Sequence, residues 1–161
     1  MHVRSTACLA ATALIALSAP AAATARPAAA DRLWATVNVC DTAEHPNEVG
    51  IRASMPGHPR GAARRMRFRV QWREGARWRY VTGADSGWRT LKRAQGRAIE
   101  SGWSFEFERP SKALTFRGVV RFRWLREGRV VGRAVEITEP GHRSTTGADP
   151  GGYSAASCSI A

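Results

Sequence analysis

Few residues in this 161-residue chain stand in patterns that perform covalent chemistry. A serine nucleophile on a strand-to-helix elbow needs the pattern GxSxG. The nearest approach, Ser86, sits in GADSG with no helical pattern behind it. His45, His58 and His142 each adjoin proline or glycine in turn-forming sequence, poor ground for a positioned base or metal ligand. No HExxH pair occurs, and no glycine loop precedes a helix to cradle phosphate. Linear spacing singles out no carboxylate pair for glycosidic chemistry. The expectation is therefore a non-enzyme, with no catalytic residue, no metal ligand and no cofactor.

The residues that do repeat with chemical meaning are arginines. Arg67, Arg69 and Arg73 alternate with Met66, Phe68, Val70 and Trp72, while Arg121 and Arg123 alternate with Val120, Phe122 and Trp124. Arg77 and Arg79 flank Trp78, and Tyr80 and Arg117 stand nearby in the pattern. Guanidinium forks match phosphate, sulfate and carboxylate groups, and aromatic rings add stacking. Arg67, Arg69, Arg73, Arg77, Arg79, Arg121 and Arg123, with Trp78 and Trp88, are the candidate binding residues. The plainer reading is a solvated face with scattered acidic partners, where like charges placed directly opposite one another cost stability. Trp88 follows Asp85-Ser86-Gly87 and Trp103 follows Glu100-Ser101-Gly102, an acid-Ser-Gly-Trp motif recurring fifteen residues apart. Such a tryptophan covers a glycine turn or faces a ligand. Trp72, Trp103 and Trp124 share the parity of the apolar series and are expected in the core.

Charge extends the same theme. The chain holds 25 basic against 13 acidic residues, a net charge of +12. A field of that sign attracts polyanions such as nucleic acid, acidic glycans, wall polymers or lipid headgroups. Lys92 and Lys112 are the only lysines, so a high-GC coding bias explains arginine over lysine equally well, though not the shortage of acids.

The first thirty residues differ in kind. A basic start, an apolar run from Ala7 to Leu17, Pro20 and alanine-rich sequence read as a secretory signal peptide. Cleavage after Ala25 and after Ala30 both fit, the second leaving 131 residues that start just before Leu33 and Trp34. Cys8 leaves with the leader. No other apolar stretch has membrane length, so the mature chain is expected without a membrane span. Cys40 and Cys158 remain, 118 positions apart, and two cysteines in an exported chain are expected to pair.

The elements that must carry these residues have a period of two. Leu33 to Val39, Val49 to Met55, Met66 to Arg73, Trp78 to Tyr80, Trp103 to Phe107, Phe116 to Trp124 and Val131 to Ile137 read as strands. Leu91, Ala94, Ala98 and Ile99 have loose helical spacing, weakened by Gly96, so a crossing loop or short helix is expected there. Beyond Pro140, GHRSTTGADPGG is turn sequence leading back to Cys158. About seven antiparallel strands in one domain, residues 31–161, predict an all-β two-sheet sandwich.

MRFRVQWREG at 66–75 and VRFRWLREG at 120–128 echo one another, and the third and sixth of seven strands are sheet neighbours in a sandwich. On these segments the chain resembles immunoglobulin-like and fibronectin type III-like domains. It is also similar to small exported sandwich proteins of high-GC bacteria with a cysteine near each end. Two departures stand: Phe116 replaces the corner tyrosine of the sixth strand, and the Cys40 to Cys158 spacing exceeds that of the immunoglobulin bridge.

Together these features lead us to expect a secreted, monomeric binding module that engages an anionic envelope polymer or polysaccharide through an arginine-rich sheet face. The alternative is a protein-directed module, an inhibitor or adhesion subunit, that binds through end loops including the 141–152 segment and Trp88.

Overall fold

The computed structural model describes residues 32–58, 61–91 and 97–161. The leader and both cleavage positions lie outside the described residues, as does most of the weakly helical segment. Nine strands are present among the described residues: β1 (Trp34–Cys40), β2 (Glu48–Met55), β3 (Ala63–Glu74), β4 (Arg77–Asp85), β5 (Arg89–Thr90), β6 (Ile99–Glu106), β7 (Leu114–Arg126), β8 (Arg129–Ile137) and β9 (Cys158–Ile160). Seven match the expected runs, and the two-residue β5 and three-residue β9 are additions. No helix occurs among the described residues. Ile99, expected in a loop or helix, instead opens β6, where pairing of Met55 with Ile99 extends the ladder.

The strands form two antiparallel sheets, one ordered β1-β2-β6 and one ordered β4-β3-β7-β8, with β5 on β3 and β9 on β7. Between them lies a core of Ala35, Val37, Val49, Ile51, Ala53 and Met55 from the small sheet against Met66, Phe68, Val70, Phe116, Val120 and Phe122 from the large one. The alternation that predicts strands also explains this core, because every second residue of a strand points to one face. β3 and β7, the echoed segments, are neighbours over ten register positions, from Ala63 opposite Leu125 to Trp72 opposite Phe116. At Gly118 the layers approach closely. A Cβ there would stand 2.6 Å from Thr138 Cγ2 and 2.7 Å from Ile51 Cδ1.

A register shift sets the facing of the apolar residues in the last hairpin. β8 turns Val131, Val135 and Ile137 outward, and Gly132, Ala134 and Glu136 inward. The shift lies between Trp124 and Leu125, and one extra residue reverses the facing of all that follow.

The segment after β8 is more ordered than its turn-rich composition implies. It runs along β1: Glu139 N–H donates to Ala35 O at 2.8 Å, Asp149 N–H to Asn38 O at 2.9 Å, and Val37 and Ala155 exchange bonds at 2.9 and 3.0 Å. Thr36 and Asn38 are buried beneath it, with Asn38 Nδ2 donating to Gly147 O at 2.6 Å and Thr36 Oγ1 lying 2.8 Å from Ser154 Oγ. The free edge of β1 is thereby covered, which removes a template for edge-to-edge association. The chain then returns as β9 and places Cys158 beside Cys40, with sulfurs 2.08 Å apart and Cα atoms 5.4 Å apart. This disulfide ties the end of a small-sheet strand to a large-sheet strand, an inter-sheet link supplied by the tail.

Both the crosslink and the tight layer contact can be weighed by substitution. Replacing Cys40 and Cys158 together by serine removes a crosslink spanning 118 residues and should lower the unfolding free energy by about 4–5 kcal/mol, read from urea denaturation against the oxidised protein. Gly118→Val should cost about 1–3 kcal/mol by overpacking, while Gly75→Val, at a turn with open space around it, should cost only backbone strain.

Candidate functional site

The β3–β7 pairing brings the arginines together on the outer face of the large sheet. In the register Arg67 stands opposite Arg121, and Arg65 opposite Arg123, which is itself opposite Arg133 of β8. The sheet thus presents a grid: Thr90, Arg65, Arg123 and Arg133 in one row, then Arg67, Arg121 and Val135, then Asp85, Arg69, Val119 and Ile137, then Tyr80, Gln71 and Arg117. Directly opposed like charges are unfavourable, so the face needs compensation.

Two kinds are present. Asp85, at the end of β4, is the one acid in the grid. Arg67 forks onto it, Nε donating to Oδ1 at 2.8 Å and Nη2 to Oδ2. Arg69 Nε lies 3.3 Å from Oδ2 as an ion pair without hydrogen-bond geometry. Gly87 N–H also donates to Oδ1, at 3.0 Å. The Arg67 fork, helped by this amide, holds the Asp85 carboxyl below its ordinary range against the opposing effect of burial. Ser86 fixes the turn: its hydroxyl accepts the Phe68 N–H at 2.9 Å and its own N–H donates to Phe68 O at 3.0 Å. Ser86 thus carries the β3–β4 pairing one residue beyond Arg69 and Asp85.

The second compensation is aromatic. Arg69 stacks 3.6 Å from the Tyr80 ring centroid, Arg117 4.2 Å from Trp78, and Arg123 4.0 Å from Trp88. A guanidinium over a ring face is attracted by the ring quadrupole and held flat. Arg117 is further oriented by donating Nε–H to Gln71 Oε1 at 2.9 Å, and partial burial draws its pKa below the ordinary arginine value. Trp78 and Trp88 therefore act as platforms for arginines, each with a face already occupied.

Not every candidate arginine joins the grid. Arg67, Arg69, Arg121 and Arg123 do, and Arg73 continues the β3 row opposite Trp78. Arg77 and Arg79 do not: they pair in register with Glu74 and Trp72, on the opposite side of β4 from Trp78 and Tyr80, and Arg79 Nε is bound to Glu74. Arg65 and Arg133 belong to the grid without standing among the candidates. The parity of Arg65 with Arg67 is a usable signal in the sequence; for Arg133 none exists, because its row depends on the β7–β8 register. Trp103 has core parity but remains 36% exposed on edge strand β6, where Arg89 caps its ring at 4.1 Å.

A second cluster lies elsewhere. The tail brings Asp149 to the loop between β1 and β2, so that ligand atoms of Glu44, His45 and Asp149 all lie within 4.8 Å of one another. Two of them have protein partners: Thr42 Oγ1 donates to Asp149, and His45 Nδ1 is 3.1 Å from Glu48 Oε2. His142 stacks on Trp34 with centroids 4.3 Å apart. The 141–152 segment, an end-loop candidate by composition, lies along β1 with Gly141, Arg143, Ser144 and Gly151 exposed.

No protein-family model, no curated protein and no solved structure matches the chain.

The Asp85 pairing has a definite pH signature. A carboxyl held low in the fold contributes stability above its ordinary value of 3.8 and loses it as pH falls through the lower folded-state value. Asp85→Asn should therefore be less stable than the parent at neutral pH, with the difference vanishing in acid, measured by denaturant titration across that range.

Proposed function

We propose that the chain is an exported, non-catalytic binding module on an immunoglobulin-like sandwich, engaging an anionic component of the cell envelope through the outer face of the large sheet. The observation that carries this reading is the register: Arg67 opposite Arg121, and Arg65, Arg123 and Arg133 in one row, with Asp85 the single acid among the described grid positions. Strand neighbours lie about 4.8 Å apart and alternate residues about 6.7 Å apart along a strand. Repeated anionic groups suit such a lattice of forks. An anion between two opposed guanidiniums converts the repulsion built into the fold into binding energy.

The aromatic residues favour contact by charge over contact by stacking. Trp78, Tyr80 and Trp88 each already carry an arginine on one face. What such stacked guanidiniums offer outward is their hydrogen-bonding edge, which suits phosphate, sulfate or carboxylate. The disulfide supports a site of action in an oxidising compartment. No helix among the described residues is long and apolar enough to cross a membrane. A single domain from residue 31, acting as a monomer, completes the reading.

The test is retention of the oxidised protein on immobilised heparin, with salt as the variable. Affinity should fall steeply with ionic strength, since charge neutralisation releases counterions. The triple variant Arg65→Glu/Arg121→Glu/Arg123→Glu should elute at far lower salt, its log–log salt slope smaller by roughly one unit per lost contact. Retention that is indifferent to salt, or unchanged in the triple variant, would refute the face.

A further inference from the structure

The arginine grid is bounded on one side by an aliphatic stripe. β8, the edge strand of the large sheet, turns Val131, Val135 and Ile137 to the same outer face, and they are 46%, 56% and 47% exposed. These are three of the five large hydrophobic residues exposed among the described ones, all at odd positions of a single strand. They are not separated from the charges. Val135 shares a register row with Arg67 and Arg121, Ile137 a row with Arg69 and Val119, and Arg133 stands between Val131 and Val135.

A soluble polyanion has use for the arginines and none for this stripe. A folded chain gains nothing by holding branched aliphatics in water, since each exposed side chain forfeits its burial energy. Charge and aliphatic surface side by side on one sheet face match a ligand with anionic groups and hydrocarbon in the same juxtaposition. That is the boundary between headgroups and acyl chains in a lipid layer. Arginine suits this boundary, because its stem lies along apolar surface while the guanidinium reaches a phosphate.

We infer that the outer face of the large sheet docks on an anionic lipid surface, with Arg65, Arg121, Arg123 and Arg133 on headgroup phosphates and Val131, Val135 and Ile137 entering the acyl boundary. This rests on the anionic reading of the grid and specifies its ligand. The docking is peripheral, with the β8 edge lowest and β4 furthest from the lipid. Two properties then separate. The arginines set the dependence on anionic lipid and salt, and the β8 stripe sets the part of the affinity that salt does not remove.

The experiment uses the oxidised protein and vesicles of phosphatidylglycerol mixed with phosphatidylcholine, against vesicles of phosphatidylcholine alone, with co-sedimentation as the readout. Binding should require phosphatidylglycerol. In Val135→Ser/Ile137→Ser, vesicle partitioning should fall about tenfold or more while the salt needed for elution from heparin stays unchanged. Both substitutions are at exposed strand positions, and far-ultraviolet circular dichroism verifies the fold. Equal vesicle binding by parent and double variant would overturn the inference while leaving the anionic reading intact. Absence of binding to both heparin and vesicles would overturn the anionic reading itself. If the double variant instead converts a dimer to a monomer in sedimentation equilibrium, the stripe pairs two copies of the chain and the lipid assignment is refuted.

Discussion

The register between β3 and β7 is the constraint from which most of this molecule follows. Met66 must face inward opposite Phe122, and Phe68 opposite Val120, because both strands line the core. A slip of one residue would move every one of these side chains into water. The same register leaves no freedom on the other face, where Arg65 meets Arg123 and Arg67 meets Arg121. The opposed charges are therefore a direct consequence of the buried aromatic and aliphatic pairs, and core energy of order 1.5–3 kcal/mol per large side chain outweighs their mutual repulsion.

The fold contains that repulsion locally. Asp85 serves Arg67 and Arg69 from a turn held by Ser86, and the rings of Tyr80, Trp78 and Trp88 hold Arg69, Arg117 and Arg123 flat. These devices lie toward β4 and β5. Toward β8 they are absent among the described residues: Arg121 and Arg133 face water beside Val135. The face thus grades from a self-compensated side to one whose charges and apolar groups face water, and the proposed ligand is placed on the second.

Closure of the sandwich is a separate matter from its site. The two sheets are joined by the tail, which covers β1, adds β9 to β7 and brings Cys158 to Cys40. The opposite side is bridged by polar and aromatic contacts: Arg64 donates to Met55 O and Arg97 O, and Arg89 covers Trp103. Burial draws the Arg64 pKa below its ordinary value, in keeping with a guanidinium at the margin of the core. A crosslink between the sheets on one side leaves the β8 side of the large sheet's outer face exposed.

Much is legible in the chain because strand parity is a local property. Met66 to Trp72 and Phe116 to Trp124 announce which residues go inside and which arginines go outside, and two cysteines far apart announce their pairing. Even the neighbouring of the two echoed strands is readable. What linear sequence does not contain is how rows align across strands. Arg133 joins Arg65 and Arg123, and Val135 and Ile137 face water, only because an irregularity near Trp124 resets the β7–β8 ladder. Arg77 and Arg79 fall away from Trp78 by parity, yet which side of β4 meets the grid is decided by its pairing with β3. Likewise the ordered course of residues 138–157 depends on an exposed β1 edge far away in the chain. Period and composition act over a few residues and so determine facing. Register, bulges and edge covering are settled by contacts between distant segments, and only the packed structure chooses among them.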